Sequence, residues 1–324
     1  AYFKVQLYTG TGSGGSNRQI TFDDTDTDMQ PDLVWIKNRD SAQEHVLVDS
    51  VRGATKDLDP SENTAESTTS TRVGSFLSDG FQLGSGSLQN RVNGSSHKMV
   101  AWCWKESADA GFDIVSYTGN ETARTISHSL SAVPKVIMPK ARSSSGFEWR
   151  LYHAGNTSAP ETDYLILNST AATADASNAW NDTAPTSSVF SLGTGETPND
   201  DGTTYIAYLW AEKQGFSKFG SYIGNGNANG TYIHLGFRPA FLMVKNIAAT
   251  ASWQILDNKR KTANFAAGTY QLRANDTTVE TSAGSYEIDL LSNGFKIRTE
   301  DSSNWNTSGQ SQIYMAFAEA PFVN

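Results

Sequence analysis

Apolar residues in this chain gather into short runs bounded by Gly, Asn, Asp, Ser and Thr, and no segment of useful length carries an amphipathic helical period. Residues 33–36 (L-V-W-I) are continuously apolar, which suits a strand covered on both faces; residues 99–104 (M-V-A-W-C-W) and 205–210 (Y-I-A-Y-L-W) read the same way with an aromatic bias. Asp79-Gly80 and Asn93-Gly94 are tight-turn signals beside such runs. The pattern predicts strands over 5–8, 20–22, 33–36, 46–48, 81–83 and 99–104, then over 114–117, 125–128, 136–138, 149–152, 164–167, 189–192 and 205–210. A last group is predicted over 221–223, 231–235, 241–244, 253–256, 270–273, 288–291, 295–298 and 313–317. Residues 52–72 are polar and read as a long surface loop, and so do residues 171–186, where Ala and Ser would also tolerate a short helix.

These runs repeat. An aromatic-x-Gly turn occurs at Tyr8-Thr9-Gly10, Tyr117-Thr118-Gly119 and Tyr222-Ile223-Gly224. A proline-led run follows each time: P-D-L-V-W-I-K at 31–37, P-K-V-I-M-P-K at 134–140 and P-A-F-L-M-V-K at 239–245. His45, Trp149 and Trp253 open equivalent five-residue segments spaced by 104 residues, and an aromatic strand closes each copy. That period is too long for a solenoid and matches a small domain with its own core. The expectation is an all-β chain of three tandem homologous antiparallel β-sandwich domains, jelly-roll or lectin-like, over 1–108, 109–213 and 214–324. With only 106–110 and 213–214 between them, they should be nearly rigid relative to one another.

Composition narrows the functional classes. Apolar residues make up 38% of 324, charged residues 18% and aromatics 11%, with eight Trp, which fits few but bulky core residues among polar turns. The net charge of −9, without a Lys/Arg block, speaks against a nucleic-acid partner. The single cysteine, Cys103, cannot pair internally, so no disulfide scaffold is expected. No apolar run approaches the roughly 20 residues that a membrane-spanning helix needs, so no membrane insertion is expected. The opening A-Y-F-K-V-Q-L-Y lacks a basic segment followed by an apolar core, so no signal peptide is expected, and synthesis in a cytoplasm is.

Candidate chemistry is sparse. The acidic run at Asp23, Asp24, Asp26 and Asp28 imitates the start of a calcium loop, but Met29 and Trp35 stand where an EF-hand needs Gly and Glu; a solvated turn is the better reading. Histidines 45, 97, 128, 153 and 234 do not cluster; His128 and His234 follow the aromatic-x-Gly turn in the second and third copies only, and His153 stands where the other copies have Asp, a variation that favours satisfied polar positions over ligands. Asp163, Asp182 and Glu196 are the loop acids to test for glycoside cleavage, although no motif raises them above ordinary acids. No nucleotide loop, nucleophile elbow or paired-cysteine ligand set occurs, so no catalytic residue, cofactor or metal is assigned. Most Trp lie in predicted strands and belong to cores. Trp180 (S-N-A-W-N-D) and Trp305 (S-S-N-W-N-T) sit in polar contexts and are the two candidates for stacking on a sugar.

The phrases P-D-L-V-W-I-K-N-R (31–39), G-F-S-K-F-G-S-Y-I-G-N-G (215–226), G-F-R-P-A-F-L-M-V-K (236–245), L-S-N-G-F-K-I-R (291–298) and Y-M-A-F-A-E-A-P-F (314–322) resemble a family of tandem domains in structural proteins of tailed bacteriophages, particularly marine and cyanobacterial phages. The likeness covers essentially the whole chain and brings no catalytic signature. It implies a non-enzymatic virion protein displayed on the particle surface, as tail or fibre component or as capsid decoration. The alternative is a glycan-binding module that recognises a host receptor. Implied partners are other virion proteins, a host surface glycan and, as the preferred assembly, a homotrimer formed through sandwich faces or loops, since no coiled-coil heptads are present.

Overall fold

The computed structural model describes residues 1–12, 17–23, 27–86, 90–260, 264, 269–283, 288–300 and 304–318. Within them the chain is all-β, with several antiparallel sheets and helices of at most four residues. Each copy of the sequence repeat builds one larger sheet with the same strand order. An opening strand (Phe3–Thr9, Phe112–Thr118, Ser217–Ile223) pairs with the closing strand (Lys98–Trp104, Thr204–Ala211, Ser311–Ala318). The closing strand pairs with the proline-led strand (Leu33–Asn38, Pro134–Ala141, Pro239–Asn246), and that one with a short strand (Val46–Asp49, Arg150–His153, Gln254–Asp257). Pro134 and Pro239 stand at the first strand position, beside an irregularity in register, where a missing N–H does least harm. Smaller sheets lie apart from these, such as that of Gln19–Ile20, Gly80–Leu83 and Val73–Leu77 in the first copy.

Side-chain alternation sorts the closing strands of the first and second copies onto two cores each. Trp102 and Trp104 face one buried cluster, and Ala101 and Cys103 the other, which also holds Ile20, Val34, Phe81 and Leu83 beneath the smaller sheet. Cys103 is fully buried on the face opposite both indoles, as its place between them predicts.

The recurrent aromatic-x-Gly turn is a clasp. The hydroxyls of Tyr8, Tyr117 and Tyr222 donate to the carbonyls of Val92, Pro198 and Trp305, each one residue before a buried asparagine. Those asparagines, Asn93, Asn199 and Asn306, accept the backbone N–H of Thr11, Asn120 and Asn225 through Oδ1. Gly119 passes so close to the opposite chain that an added Cβ would lie 2.0 Å from the Asp200 carbonyl oxygen, so no other residue fits.

The largest core belongs to no single copy. Trp104 packs on Phe3 (ring centroids 4.9 Å apart) from its own copy, on Trp210 (6.3 Å) from the second, and on Phe241 and Phe317 (both 5.6 Å) from the third. Around it, polar contacts run head to tail. Tyr208 Oη of the second copy donates to Asp49 Oδ2 of the first (2.6 Å), and Trp102 Nε1 of the first to Asp257 Oδ2 of the third (3.0 Å). His153 of the second meets the Tyr314 carbonyl of the third at 3.1 Å, and because its Nδ1 accepts the Gly155 N–H, Nε2 is the donor.

A second ring of contacts has the same sense. Arg142 grips Glu66 through two nitrogens at 2.9 and 3.3 Å, and Arg52, itself held by Asp49 at 2.5 Å, joins them at 3.1 Å. Arg39, Glu280 and Arg260, with Asp257, repeat this where the first copy meets the third. Where the second meets the third, the equivalent residues are Ile247, Thr173 and Asn156, joined by neutral hydrogen bonds. Burial works against ionisation of both partners, yet the neighbours win: Arg142 and Arg52 hold Glu66 below the ordinary carboxylate range, and Tyr208 and Asp49 hold Arg52 above its own. Residues 52–72 are therefore no plain surface loop. They contain the buried Arg52, Asp57, Leu58 and Asp59 and the paired strands Lys56–Asp57 and Ser67–Thr68. Residues 171–186 likewise contain a strand, Ala174–Asp175, and a helical turn, Ser177–Trp180.

Candidate functional site

One polar cavity stands out, formed entirely by the first copy. Leu58 bridges to Leu47, the centre of the segment that opens with His45, and so carries the flanking Asp57 and Asp59 to the inner side of residues 52–72. Strand Lys56–Asp57 pairs with Ser67–Thr68, and the turn Asn90–Asn93 delivers Arg91. Glu44, Asp57, Asp59, Glu62, Arg72 and Arg91, with Thr64, Ala65 and Ser67, enclose about 500 Å³.

The charges inside are interlocked. Arg91 holds Glu44 at 2.9 Å, and its other terminal nitrogen lies 3.6 Å from Asp59 and 4.0 Å from Asp57. Arg72 Nε is 3.6 Å from the same Asp57 oxygen, Oδ2. Asp59 Oδ1 accepts from the Ser61 N–H and hydroxyl at 2.9 and 2.7 Å. Asp57 is 4% exposed, and its Oδ1 accepts no hydrogen bond from any described residue. Burial raises Asp57 to about 7 and Asp59 to about 6, with Arg72 and Arg91 opposing at the first and Ser61 at the second. Near neutral pH Asp57 thus presents an acceptor or a donor, and the two guanidiniums supply further donors.

The fold does not need this constellation. By strand register Leu58, Leu165 and Leu272 are equivalent, so Asp57 stands where the other copies have Tyr164 and Gln271, and Asp59 where they have Ile166 and Arg273. Counting back from the clasp asparagines, Arg91 stands where they have Thr197 and Asn304. Two copies build the same strands and clasp without the acids or the arginine. In a single copy the cavity residues look like solvated loop; the signal that marks them is the alignment of Leu58 with Leu165 and Leu272.

The sequence candidates lie elsewhere. Trp180 and Trp305 are 2% and 0% exposed and offer no ring to a ligand, which corrects their assignment as sugar-stacking residues. Trp180 donates its indole N–H to the Asp163 carbonyl and meets Tyr152 edge-on; Trp305 immediately precedes the clasp asparagine Asn306. Residues 181–182 and 304–306 form turns while the rings point inward. Asp163, Asp182 and Glu196 all belong to the second copy, and none lines the cavity. His45 accepts from Trp35 Nε1 at 2.8 Å and lies 3.2 Å from the Asp276 carbonyl, a satisfied core position. Residues 24–26 of the acidic run lie outside the described residues, and among the described residues no group of three metal-binding side chains converges. Nor, among them, is any helix long and apolar enough to cross a membrane.

No curated protein matches the chain. A family profile does, over residues 1–321, and its description is a domain of unknown function, DUF7483. A match over nearly the whole length, across all three copies, places the chain in that family: it is a member of DUF7483.

Proposed function

We propose that the protein is a non-enzymatic structural component of a tailed-bacteriophage particle, displayed on its surface as part of the tail or fibre or as capsid decoration. The observation that carries this reading is the shared aromatic core around Trp104, locked by head-to-tail polar contacts between the copies. Such a body resists deformation, as a particle component must, and the motif resemblance points to virions. In this reading the three copies are homologous β-sandwich units over 1–108, 109–213 and 214–324, closed into a ring within one chain. A homotrimer or a lattice of virion proteins would then assemble through the outer surface. Mass spectrometry and immunogold microscopy of purified particles test the proposal. Stoichiometric recovery from particles, with label at the tail or on the capsid, is expected; absence from intact particles would refute it.

The receptor-recognition alternative, binding of a host glycan, is favoured by one observation, the polar cavity of the first copy.

A further inference from the structure

We infer that the cavity of the first copy is a binding site for a neutral polyhydroxy ligand, a sugar ring or a linear polyol, held by Asp57, Asp59, Arg72 and Arg91. This deepens the receptor-recognition alternative and is independent of where the protein sits in a particle.

Three observations carry it. Asp57 lines the cavity, is almost wholly buried, and keeps one carboxylate oxygen without a described donor. Buried acceptors rarely stay unpaired, so this carboxyl calls for an ordered water or for an occupant that donates a hydrogen bond. Asp57, Asp59 and Arg91 also depart together from a repeat that folds without them, so their burial serves something other than the framework. Finally, the lining decides the chemistry. Guanidiniums and carboxylates face the same space of about 500 Å³, within the range of about 300–1,000 Å³ that small-molecule sites occupy. A free cation would meet Arg72 and Arg91, and a free anion would meet four carboxyl groups. A neutral ligand with adjacent hydroxyls satisfies both, donating to a carboxyl group while accepting from an arginine, with Thr64 and Ser67 as further hydroxyl partners. Ala65 is the only apolar residue in the lining, which excludes an apolar ligand.

The test uses the purified chain. Saturation-transfer NMR and calorimetry are run with glucose, galactose, mannose, N-acetylglucosamine and sorbitol, and with lysine, calcium chloride and inorganic phosphate as the competing classes. Two variants borrow residues that the other copies carry, Asp57→Gln and Arg91→Thr, so folding should survive; unchanged circular dichroism and a cooperative melt verify this. At least one sugar or the polyol is expected to bind, and each variant to weaken it about tenfold or more, as loss of a hydrogen bond to a charged group does. The inference is overturned if none of the five polyhydroxy probes binds at tens of millimolar, if both folded variants bind as the parent does, or if only lysine, calcium or phosphate binds. A second arm separates ligand sources: a probe that binds the chain but does not compete with host cells for it marks a free small molecule, whereas competition marks a surface glycan. Either result leaves the binding site standing, and only the second supports receptor recognition.

Discussion

Replacing Trp104 with alanine tests whether the three copies share one stability. The indole is 2% exposed and touches rings from every copy. Truncating a buried Trp costs about 3–5 kcal/mol, because burial is lost and the cavity closes only in part. Unfolding entropy near the melting temperature is roughly 2.1 cal/mol/K per residue, or about 0.7 kcal/mol/K for a 324-residue cooperative body. The variant should therefore show a single calorimetric transition moved down by about 4–7 °C. Three independent units of some 108 residues would behave differently: about 0.23 kcal/mol/K applies to each, so the first unit alone would fall by roughly 13–22 °C while two transitions stayed in place. Differential scanning calorimetry of parent and variant distinguishes the cases. Separate transitions, with only one displaced, would refute the shared core as the source of cohesion.

Four further outcomes follow from the same contacts. Asp49→Ala leaves the buried Arg52 with Glu66 as its one carboxylate among the described residues and removes the acceptor of Tyr208, so denaturant titration should show a loss of about 3–5 kcal/mol; a loss below 1 would contradict the pairing. Gly119→Ala drives a Cβ onto the Asp200 carbonyl oxygen and should destabilise by at least about 1–3 kcal/mol, whereas Gly202→Ala, whose Cβ meets nothing within 4 Å, should suffer only its left-handed backbone. Burial depresses His153 from 6.5 to about 4, so its contribution is present above pH 6.5 and is lost as pH falls towards 4. At pH 5 that loss is about 2 kcal/mol, and His153→Gln should flatten the pH dependence by this amount; parallel parent and variant profiles would argue against a neutral buried imidazole. Cys103 lies wholly inside the first copy's own core, and burial lifts its thiol well above the usual range, so native protein should resist thiol reagents and Cys103→Ala should still fold; rapid labelling would contradict this.

Hydropathy made much of the framework legible, because apolar alternation has few interpretations. Residues 33–36 and 99–104 are strands, and the split of Trp102 and Trp104 from Cys103 follows from the period of two. The strand Val73–Leu77 is not legible, since V-G-S-F-L offers little alternation. Buried charge was the larger blind spot. Arg52, Asp57, Asp59 and Glu66 look like solvated loop in a single sequence, because only the fold brings their partners Arg142, Tyr208 and Arg91 to them. The clasp asparagines were hidden for a similar reason: Asn93-Gly94 signals a turn, and nothing local says that the amide is buried and holds a second turn about 80 residues earlier. Trp180 and Trp305 show the converse error, in which polar neighbours were allowed to speak for a ring that points the other way.

The aromatic centre also sets a timetable for synthesis. Trp104 finds its partner Phe3 within the first copy, but Trp210, Phe241 and Phe317 come later in the chain. At about 5–20 residues per second, Phe317 is made roughly 10–40 s after Trp104. Through that interval the nascent first copy displays an uncovered aromatic face, while its own smaller core around Cys103 can already close. Arg39 and Glu280, separated by 241 residues, can meet only when almost everything else is in place. The growing polypeptide is thus most adhesive in mid-synthesis, and a pause between residues 105 and 240 is where a holding chaperone, or aggregation, would claim it.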